Sequence, residues 1–300
     1  MSTVVEGQFK QGDTSLYTKT WTPTGPVKAK LIFVHGFSEH INRYNDFFPL
    51  LNEHGIQVLS WDQRGWGKSA SKKSDKGLTG PTSLVISDVA AFIEQHLPST
   101  APVFIMGHSM GGGEILTMAG DAKYDKIVSQ IRGWILDAPF IGFAPDEVPS
   151  SIKISLGRFV GRLLPKQQLK HVVPPEHLSR DQAIVESVRN DPLCHNTGTL
   201  EGLASLLDRT SALSSGGVKL GKNVKSVFLG HGRNDKTCSF DAAMKFLEEQ
   251  AVEDKTSKAY DGAYHQLHAD HCKDEFAKDV IEWITARSGD RDSIPAESKL

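Results

Sequence analysis

Five short apolar segments recur along this sequence, and each one stops at a glycine or a polar residue. They read KAKLIFVHG, GIQVLSWD, APVFIMGHS, IRGWILDAP and VKSVFLGHG, at residues 28–36, 55–62, 101–109, 131–139 and 224–232. Continuous apolar runs of this length are typical of parallel strands that are buried on both faces of a sheet. Helix-length stretches lie between them, for example at residues 83–97. The alternation predicts an α/β fold with a mostly parallel central sheet and helices on both faces.

The alternation is interrupted between residues 141 and 205, where prolines, basic residues and helical patterns occur without a convincing strand. We interpret this stretch as an inserted, mainly helical cap. The chain of 300 residues then consists of a first core segment, the cap, a second core segment and a flexible polar tail. These parts lie at residues 1–140, 141–205, 206–288 and 289–300.

One predicted strand ends in a glycine-rich turn. Residues 107–111 read G-H-S-M-G and join this strand to a segment that can form a helix. Glycines two positions before and after Ser109 leave room for a strained turn that exposes the serine hydroxyl. An ordinary glycine-rich turn is the alternative. A phosphate-binding loop is not supported, because Asp62 stands where the G-K-S at residues 67–69 would require a glycine. Ser109 is therefore the predicted nucleophile.

A serine hydroxyl becomes a strong nucleophile when a base removes its proton and an acid orients that base. Along a chain with this serine turn, the acid and then the histidine follow the serine. Asp235 comes directly after the strand at residues 224–232, and His265 comes after the last predicted strand. Asp137, at the end of an earlier strand, is the rival acid. We predict a catalytic triad of Ser109, Asp235 and His265.

The tetrahedral intermediate of acyl transfer needs two hydrogen-bond donors for its oxyanion. The backbone N–H of Met110, directly after the serine, is one candidate. The backbone N–H of Phe37, in the loop after the strand at residues 28–36, is the other.

Other partner classes find little support in the sequence. A zinc site would have to use His265, His268, His271 and Cys272, but three-residue steps on a helix turn these side chains away from one another. We therefore expect neither a metal nor a cofactor. The net charge of −2 argues against a nucleic-acid partner.

The chain lacks a basic region followed by an apolar run near its start, and it lacks a membrane-length apolar stretch. We therefore expect a soluble chain. Its three cysteines are an odd number, which favours reduced thiols over a disulfide framework.

Five stretches together resemble the monoacylglycerol lipase branch of the serine α/β-hydrolase superfamily. They read FVHGFSEHINRY, DQRGWGKS, GHSMGG, HGRNDKTC and YDGAYHQLH, and the likeness extends from about residue 30 to residue 283. The resemblance implies the α/β-hydrolase fold with its inserted cap. It implies a serine hydrolase that cleaves monoacylglycerol to fatty acid and glycerol through an acyl-enzyme intermediate. The triad and the oxyanion donors that it implies are the same as those above.

The resemblance also draws attention to four residues around the site. Glu39, Arg43 and His268 fall on positions that form a polar network under the site in this branch. Cys238, three residues after the predicted acid, matches a cysteine near the site, although it fits equally well as a small buried apolar residue.

One position departs from the family pattern. Val188 precedes the D-P-L at residues 191–193, where mammalian members place a tyrosine near the glycerol group. Lysophospholipase, carboxylesterase and acyl-CoA thioesterase activities therefore stay open, because they use the same triad chemistry. A non-catalytic binding module is an alternative from another class, and the intact serine, aspartate and histidine argue against it.

The cap contains an amphipathic stretch at residues 150–168. Its apolar positions are Ile152, Leu156, Phe159, Val160, Leu163 and Leu164, and basic residues lie largely on the other side. Such a helix can make transient contact with an anionic lipid surface. Packing of the apolar face onto the core is the alternative.

The sequence ends in Ser298, Lys299 and Leu300, which form the peroxisomal address S-K-L. We expect a peroxisomal enzyme that binds the import receptor, with the cytoplasm or a lipid-droplet or membrane surface as the alternative. A fluorescent protein fused to the N-terminus should form puncta together with a peroxisomal marker. A diffuse signal, or puncta that persist after deletion of the last three residues, would contradict this expectation.

Overall fold

Eight strands form one mixed sheet at the centre of the protein. The structure is a computed structural model that describes residues 2–147 and 160–289. The described strands are β1 (Thr3–Gln11), β2 (Thr14–Thr22), β3 (Ala29–Val34), β4 (Ile56–Trp61), β5 (Val103–His108), β6 (Ile131–Asp137), β7 (Gln168–Lys170), β8 (Thr197–Thr199), β9 (Ser226–Gly232) and β10 (Asp254–Tyr260). The described helices are α1 (Phe48–Glu53), α2 (Thr82–Glu94), α3 (Met110–Ala119), α4 (Asp125–Val128), α5 (Gln182–Arg189), α6 (Leu200–Ser214), α7 (Phe240–Glu248) and α8 (Lys273–Ala286).

The strand order in the central sheet is β1-β2-β4-β3-β5-β6-β9-β10. The pairs from β4 to β10 are parallel, whereas β2 pairs antiparallel with both β1 and β4. The five predicted apolar segments form β3, β4, β5, β6 and β9, so the predicted α/β fold is confirmed. The hairpin of β1 and β2 was not predicted, because Phe9 is the one buried residue of β1 and no apolar run marks this strand.

Both faces of the sheet are covered. Along β3, Ile32 and Val34 belong to one buried apolar cluster, while Leu31 and Phe33 belong to the cluster on the opposite face. This alternation follows from the two-residue repeat of a strand, which sends successive side chains to opposite faces. Burial of each such side chain contributes about 1.5–3 kcal/mol relative to an exposed one. Burial on both faces of the sheet explains why the strands have continuous apolar sequences.

The described part of the predicted cap contains α5, the start of α6 and a small antiparallel ribbon of β7 and β8. The prediction that this stretch contains no convincing strand was wrong, because β7 and β8 lie within it. Strands of three residues are too short to show a periodic pattern in the sequence. The predicted boundary at residue 205 falls inside α6. Much of the predicted amphipathic helix, including Ile152, Leu156 and Phe159, lies outside the described residues, as does most of the predicted tail. The domain division as a whole stays a prediction.

The ribbon packs against a loop of the core. A Cβ atom built on Gly77 would lie 2.1 Å from the Thr197 carbonyl oxygen, so a larger residue cannot occupy this position. Thr199 donates its backbone N–H to the Gly77 carbonyl at 3.1 Å. The cap is thereby fixed to the core at a point where only glycine fits.

No helix in the described ranges 2–147 and 160–289 is both long and apolar enough to cross a membrane.

The parallel strands bring the predicted site residues to one edge of the sheet. Phe37 follows β3, Ser109 follows β5, Asp235 follows β9 and His265 follows β10. Carboxyl ends of parallel strands meet at the same edge, where α/β proteins commonly bind their ligands.

Candidate active site

Ser109 occupies a strained turn between β5 and α3. Its backbone angles are φ 52° and ψ −117°, a left-handed region that residues with a side chain rarely adopt. Three backbone hydrogen bonds hold the turn: the Ser109 N–H donates to Asp137 at 3.0 Å, and the Ser109 carbonyl accepts from Gly113 at 3.2 Å and Phe140 at 2.8 Å. The surrounding structure therefore fixes the conformation that presents the hydroxyl.

The glycines of the G-x-S-x-G pattern are required by close backbone approach. A Cβ atom on Gly107 would lie 2.6 Å from the Gly111 carbonyl oxygen. A Cβ atom on Gly111 would lie 2.2 Å from the carbonyl oxygen of Val34, at the end of β3. The turn can pack against the neighbouring strand because neither position carries a side chain, which is the steric reason that the pattern predicted.

The Asp235 carboxylate is fully buried and accepts four hydrogen bonds. One oxygen accepts from His265 Nδ1 at 2.8 Å and His231 Nε2 at 3.0 Å, and the other accepts from the backbone N–H groups of Thr237 at 2.7 Å and Cys238 at 2.9 Å. Burial by itself raises the pKa of Asp235. The positive charge that His265 can carry and the hydrogen bonds from His231 and His265 outweigh burial and hold this pKa far below its ordinary value. Asp235 is therefore ionised throughout the neutral range.

The predicted base is held in a defined orientation. Since His265 Nδ1 is bonded to Asp235, Nε2 is the ring nitrogen left to act on the serine hydroxyl. His265 and Ser109 line the same cavity. The structure thus brings the three predicted triad residues together from β5, β9 and β10.

The rival acid has histidine partners of its own. Asp137 is buried beneath the serine turn, and its Oδ2 lies 3.0 Å from His108 Nδ1 and 3.6 Å from His268 Nδ1. Burial raises the pKa of Asp137, but the charge and hydrogen bond of His108 lower it more, to about 2. Burial lowers the pKa of His108, yet the Asp137 and Glu39 carboxylates raise it to about 9. The contacts of Asp137 are those of a supporting ion pair under the turn.

Glu39 and His268 lie in a buried network next to this ion pair. Glu39 Oε1 accepts from the Gly36 backbone N–H and from the Tyr44 hydroxyl, the latter at 2.8 Å. The Tyr44 ring stacks on His268 with 4.1 Å between centroids. Burial raises the pKa of Glu39, but the charges of His108, His35 and His268 lower it overall. The network therefore holds an ionised carboxylate below the site.

Arg43 departs from the predicted network. Its guanidinium donates to Ser187 Oγ at 2.9 Å and to Asp191 Oδ2 at 3.4 Å, and both partners belong to the predicted cap. His40 contacts the same Asp191 oxygen at 2.9 Å. Arg43 therefore ties the core to the cap, a role that spacing within the core segment could not reveal.

Cys238 lies beside Ser109, the predicted nucleophile. Its Sγ is 3.9 Å from Ser109 Oγ, and the side chain is fully buried. Burial raises the pKa of this thiol well above its ordinary value, so it stays protonated and neutral. Cys238 is thus a small buried residue next to Ser109, and its role at the site stays a prediction.

The predicted oxyanion donors flank the serine. Met110 begins α3 directly after Ser109, and Phe37 lies in the loop after β3. This loop passes close to the predicted nucleophile, since a Cβ atom built on Gly36 would lie 3.0 Å from Ser109 Cβ. Phe37 and Met110 both line a cavity together with Ser109.

Two cavities of different character meet at Ser109. The larger, about 280 Å³, is lined mainly by apolar side chains: Phe37, Met110, Phe140, Phe143, Leu169, Val173, Leu200, Leu203, Ala204, Leu206 and Leu207. The smaller, about 50 Å³, has more polar walls, including Glu39, Arg43, Asn196, His265 and Gln266. Val188, the position that departs from the family pattern, also lines the smaller cavity.

Within the described residues, the four-residue zinc set considered from the sequence does not converge. His265 bonds to Asp235, whereas His268 lies next to Asp137. Three other groups bring potential ligand atoms within 4.8 Å of one another: His40, Asp191 and Cys194; His108, Asp137 and His268; Asp235, Cys238 and His265. Protein hydrogen bonds already join the histidine and the carboxylate of each group.

Sequence reasoning missed four residues of the site: His108, His231, Thr237 and Gln266. His108 precedes Ser109 by one position, and His231 precedes Asp235 by four positions. This proximity to a predicted site residue was the signal available in the sequence. Thr237 and Gln266 flank predicted site residues, but no spacing rule marks them.

The fold and the elements that supply these residues define the class of α/β-hydrolases with a serine turn. The model of the family described as serine aminopeptidase S33 matches residues 25–271. The chain belongs to this family, within the monoacylglycerol lipase branch of the α/β-hydrolase superfamily. The predicted resemblance is confirmed.

Similar proteins cover nearly the whole chain. The "Putative monoglyceride lipase" of Schizosaccharomyces pombe is 32% identical over 295 residues, which are 95% of this chain and 75% of that protein. The monoglyceride lipase of Rattus norvegicus is 28% identical over 284 residues, with 91% and 87% covered. A crystal structure of a soluble variant of monoglyceride lipase from Saccharomyces cerevisiae, in complex with a substrate analogue, has a TM-score of 0.84 at 20% identity and covers 96% of this chain and 97% of its own.

The two carboxylates can be distinguished by matched substitutions. Asp235→Asn should lower kcat for a soluble ester by roughly 10³–10⁴-fold, because an amide stabilises the wrong imidazole tautomer and cannot support the imidazolium. Asp137→Asn should reduce kcat less than about tenfold while it lowers the melting temperature, since it breaks a buried ion pair. Steady-state kinetics and circular dichroism melting measure both effects, and the reverse ranking of kcat would make Asp137 the acid.

Proposed function

We propose that this protein hydrolyses monoacylglycerols to fatty acid and glycerol. It is a carboxylic ester hydrolase, and the observation that carries the substrate class is the position of Ser109 at the junction of two unlike cavities. An acyl chain fits the larger apolar cavity, and a small polar leaving group fits the smaller one. The relatives named as monoglyceride lipases support the same substrate class.

The proposed mechanism assigns a role to each residue of the triad. Ser109 Oγ attacks the ester carbonyl carbon while His265 Nε2 accepts the hydroxyl proton. The N–H groups of Phe37 and Met110 stabilise the oxyanion, and Asp235 stabilises the imidazolium. His265 then donates the proton to the leaving glycerol oxygen. Water repeats the sequence on the acyl-enzyme and releases the fatty acid.

The proposed ester has a single acyl chain. The apolar wall of the larger cavity includes five residues of α6, so one helix forms much of the surface along which the chain lies. The smaller cavity offers charged and amide side chains instead. A second acyl chain on the leaving group would meet these polar groups without partners for them, which is unfavourable.

The exposed surface of the described cap supports the proposed contact with lipid. Leu163, Leu164, Leu169 and Val172 are large apolar side chains that are 69%, 54%, 51% and 62% exposed. They lie close together along the chain, and one of them, Leu169, also lines the larger cavity. Clustered exposed apolar residues of this kind mark interaction surfaces.

Basic residues accompany this apolar patch. Arg162, Lys166 and Lys170 alternate with it along the chain and are exposed. Gln168, in β7 of the cap, donates hydrogen bonds to the backbone carbonyls of Lys73 and Lys76, both at 2.9 Å. A lysine-containing loop of the core therefore lies next to this part of the cap. A surface that combines exposed leucines with lysines and arginines suits an anionic membrane.

We also propose the peroxisome as the site of action, with the cytoplasm or a lipid surface as the alternative. The support is the S-K-L tripeptide, whose residues lie outside the described ranges. In that compartment the fatty acid product would be available directly for oxidation.

A hydrolysis panel tests the proposed function. The purified protein should cleave 1- or 2-oleoylglycerol with a kcat/KM at least about tenfold above those for oleoyl-lysophosphatidylcholine and oleoyl-CoA, because neither head group fits the small cavity. Ser109→Ala should abolish turnover and fluorophosphonate labelling without a change in melting temperature. Faster cleavage of oleoyl-CoA would identify a thioesterase, and turnover near the wild-type level by Ser109→Ala would reject the mechanism.

Vesicle sedimentation tests the lipid surface. The wild-type protein should bind vesicles that contain 30 mol% anionic phospholipid. Leu163→Ser combined with Leu169→Ser should reduce the bound fraction roughly fivefold or more, since two apolar contacts are removed. Val4→Ser combined with Val5→Ser is the matched control, because these valines are also exposed but lie on the edge strand β1, outside the cap. Equal binding by all three proteins would argue against membrane contact through the cap.

A further inference from the structure

Two buried oxygen atoms, which belong to residues that line the smaller cavity, have no hydrogen-bond partner within the described part of the chain. They are the amide oxygen Oε1 of Gln266 and the hydroxyl oxygen Oγ1 of Thr237. Buried polar atoms in native proteins nearly always have a partner, so each exception requires an explanation. Both atoms belong to residues that line the cavity of the nucleophile, which points to a partner supplied by the substrate.

The orientation of the Gln266 amide is fixed by its neighbour. Gln266 is 3% exposed, and its Nε2 donates to Glu39 Oε2 at 3.4 Å. The Glu39 carboxylate is ionised and can only accept hydrogen bonds, so the NH₂ group must face it. The backbone N–H of Gln266 donates to the Leu178 carbonyl at 2.8 Å, which fixes the main chain as well. The free atom is therefore an acceptor, and it requires a donor such as a hydroxyl group.

Thr237 occupies the boundary between the two cavities and lines both of them. Its backbone N–H donates to Asp235 at 2.7 Å, so its position is fixed relative to the catalytic acid. Its hydroxyl group can donate a hydrogen bond to a ligand or accept one from it. Val188 lines the smaller cavity with an apolar side chain and offers no competing group.

We propose that Gln266 and Thr237 recognise the free hydroxyl groups of the leaving alcohol, which makes them specificity-determining residues for polyol esters. Gln266 Oε1 accepts a hydrogen bond from one hydroxyl of glycerol, and Thr237 Oγ1 bonds to a glycerol oxygen near the scissile ester. This inference rests on the proposed function and extends it. The hydroxyl recognition that the family places on a tyrosine is carried here by side chains that come from the loops after β9 and β10.

The recognition can be measured with two esters of one fatty acid. A 1-decanoylglycerol and a propyl decanoate, both kept below the concentration at which they aggregate, share the acyl chain and the acyl-enzyme and differ in two hydroxyl groups. The ratio of their kcat/KM values therefore reports on the leaving-group side alone. The wild-type protein should favour the glycerol ester. Gln266→Met and Thr237→Val, which remove the hydrogen-bonding atoms at similar volume, should each lower this ratio roughly tenfold.

The matched control is Gln250→Met. Gln250 is also 3% exposed and hydrogen-bonded, but it lies in the turn after α7 and lines neither cavity. This variant should keep the wild-type ratio even where its melting temperature falls. Thr237→Val carries the test by itself if Gln266→Met does not fold.

The outcomes separate this inference from the proposed function. Equal losses for both esters in Gln266→Met and Thr237→Val would show a merely structural role and overturn the inference while the function stands. A wild-type protein that cleaves the two esters equally well would overturn it too. A wild-type protein that cleaves propyl decanoate but not the glycerol ester would reject the proposed function, and the inference with it.

Discussion

The buried carboxylate of Asp235 is the constraint on which the site depends. A desolvated negative charge is costly unless several donors surround it, and here two histidines and two backbone N–H groups do so. These donors come from the end of β9, the loop that follows it and the loop after β10. The charge therefore draws together two segments that are separate in the sequence, residues 231–238 and the loop that contains His265. The orientation of His265, the position of Cys238 and the wall contributed by Thr237 all follow from it.

A second charged centre lies directly below the first. Asp137 with His108, together with Glu39, Tyr44 and His268, forms a buried network beneath the serine turn. Both centres pair a carboxylate with two histidines, and His108 and His265 both line the smaller cavity and are almost fully buried. The carboxylates differ in their partners, because both oxygens of Asp235 accept hydrogen bonds, whereas within the described residues only Oδ2 of Asp137 does. Burial lowers the pKa of His108, but the Asp137 and Glu39 carboxylates raise it to about 9.

Sequence patterns predicted the parts of the protein that local rules control. The buried parallel strands and the glycines around Ser109 leave a signal because sterics and burial restrict the residue type at each position. The hairpin of β1 and β2 left none, since β1 buries a single side chain. The strands β7 and β8 of the ribbon are too short for an alternation of apolar and polar residues to be recognised in the sequence. The link from Arg43 to Asp191 and the free oxygens of Thr237 and Gln266 depend on residues distant in sequence, which no spacing rule connects.

The junction of two cavities at Ser109 has a consequence for the order of events. In the proposed mechanism, the hydrocarbon chain of the acyl-enzyme fills the larger, apolar cavity and blocks that route to the ester carbon. The water that completes the cycle must then approach through the polar compartment, which glycerol has to vacate first. Alcohol release therefore precedes hydration of the acyl-enzyme, and the same few polar side chains receive two occupants in succession. A small alcohol present in excess would compete with water there and be acylated, so the geometry that permits hydrolysis also permits acyl transfer.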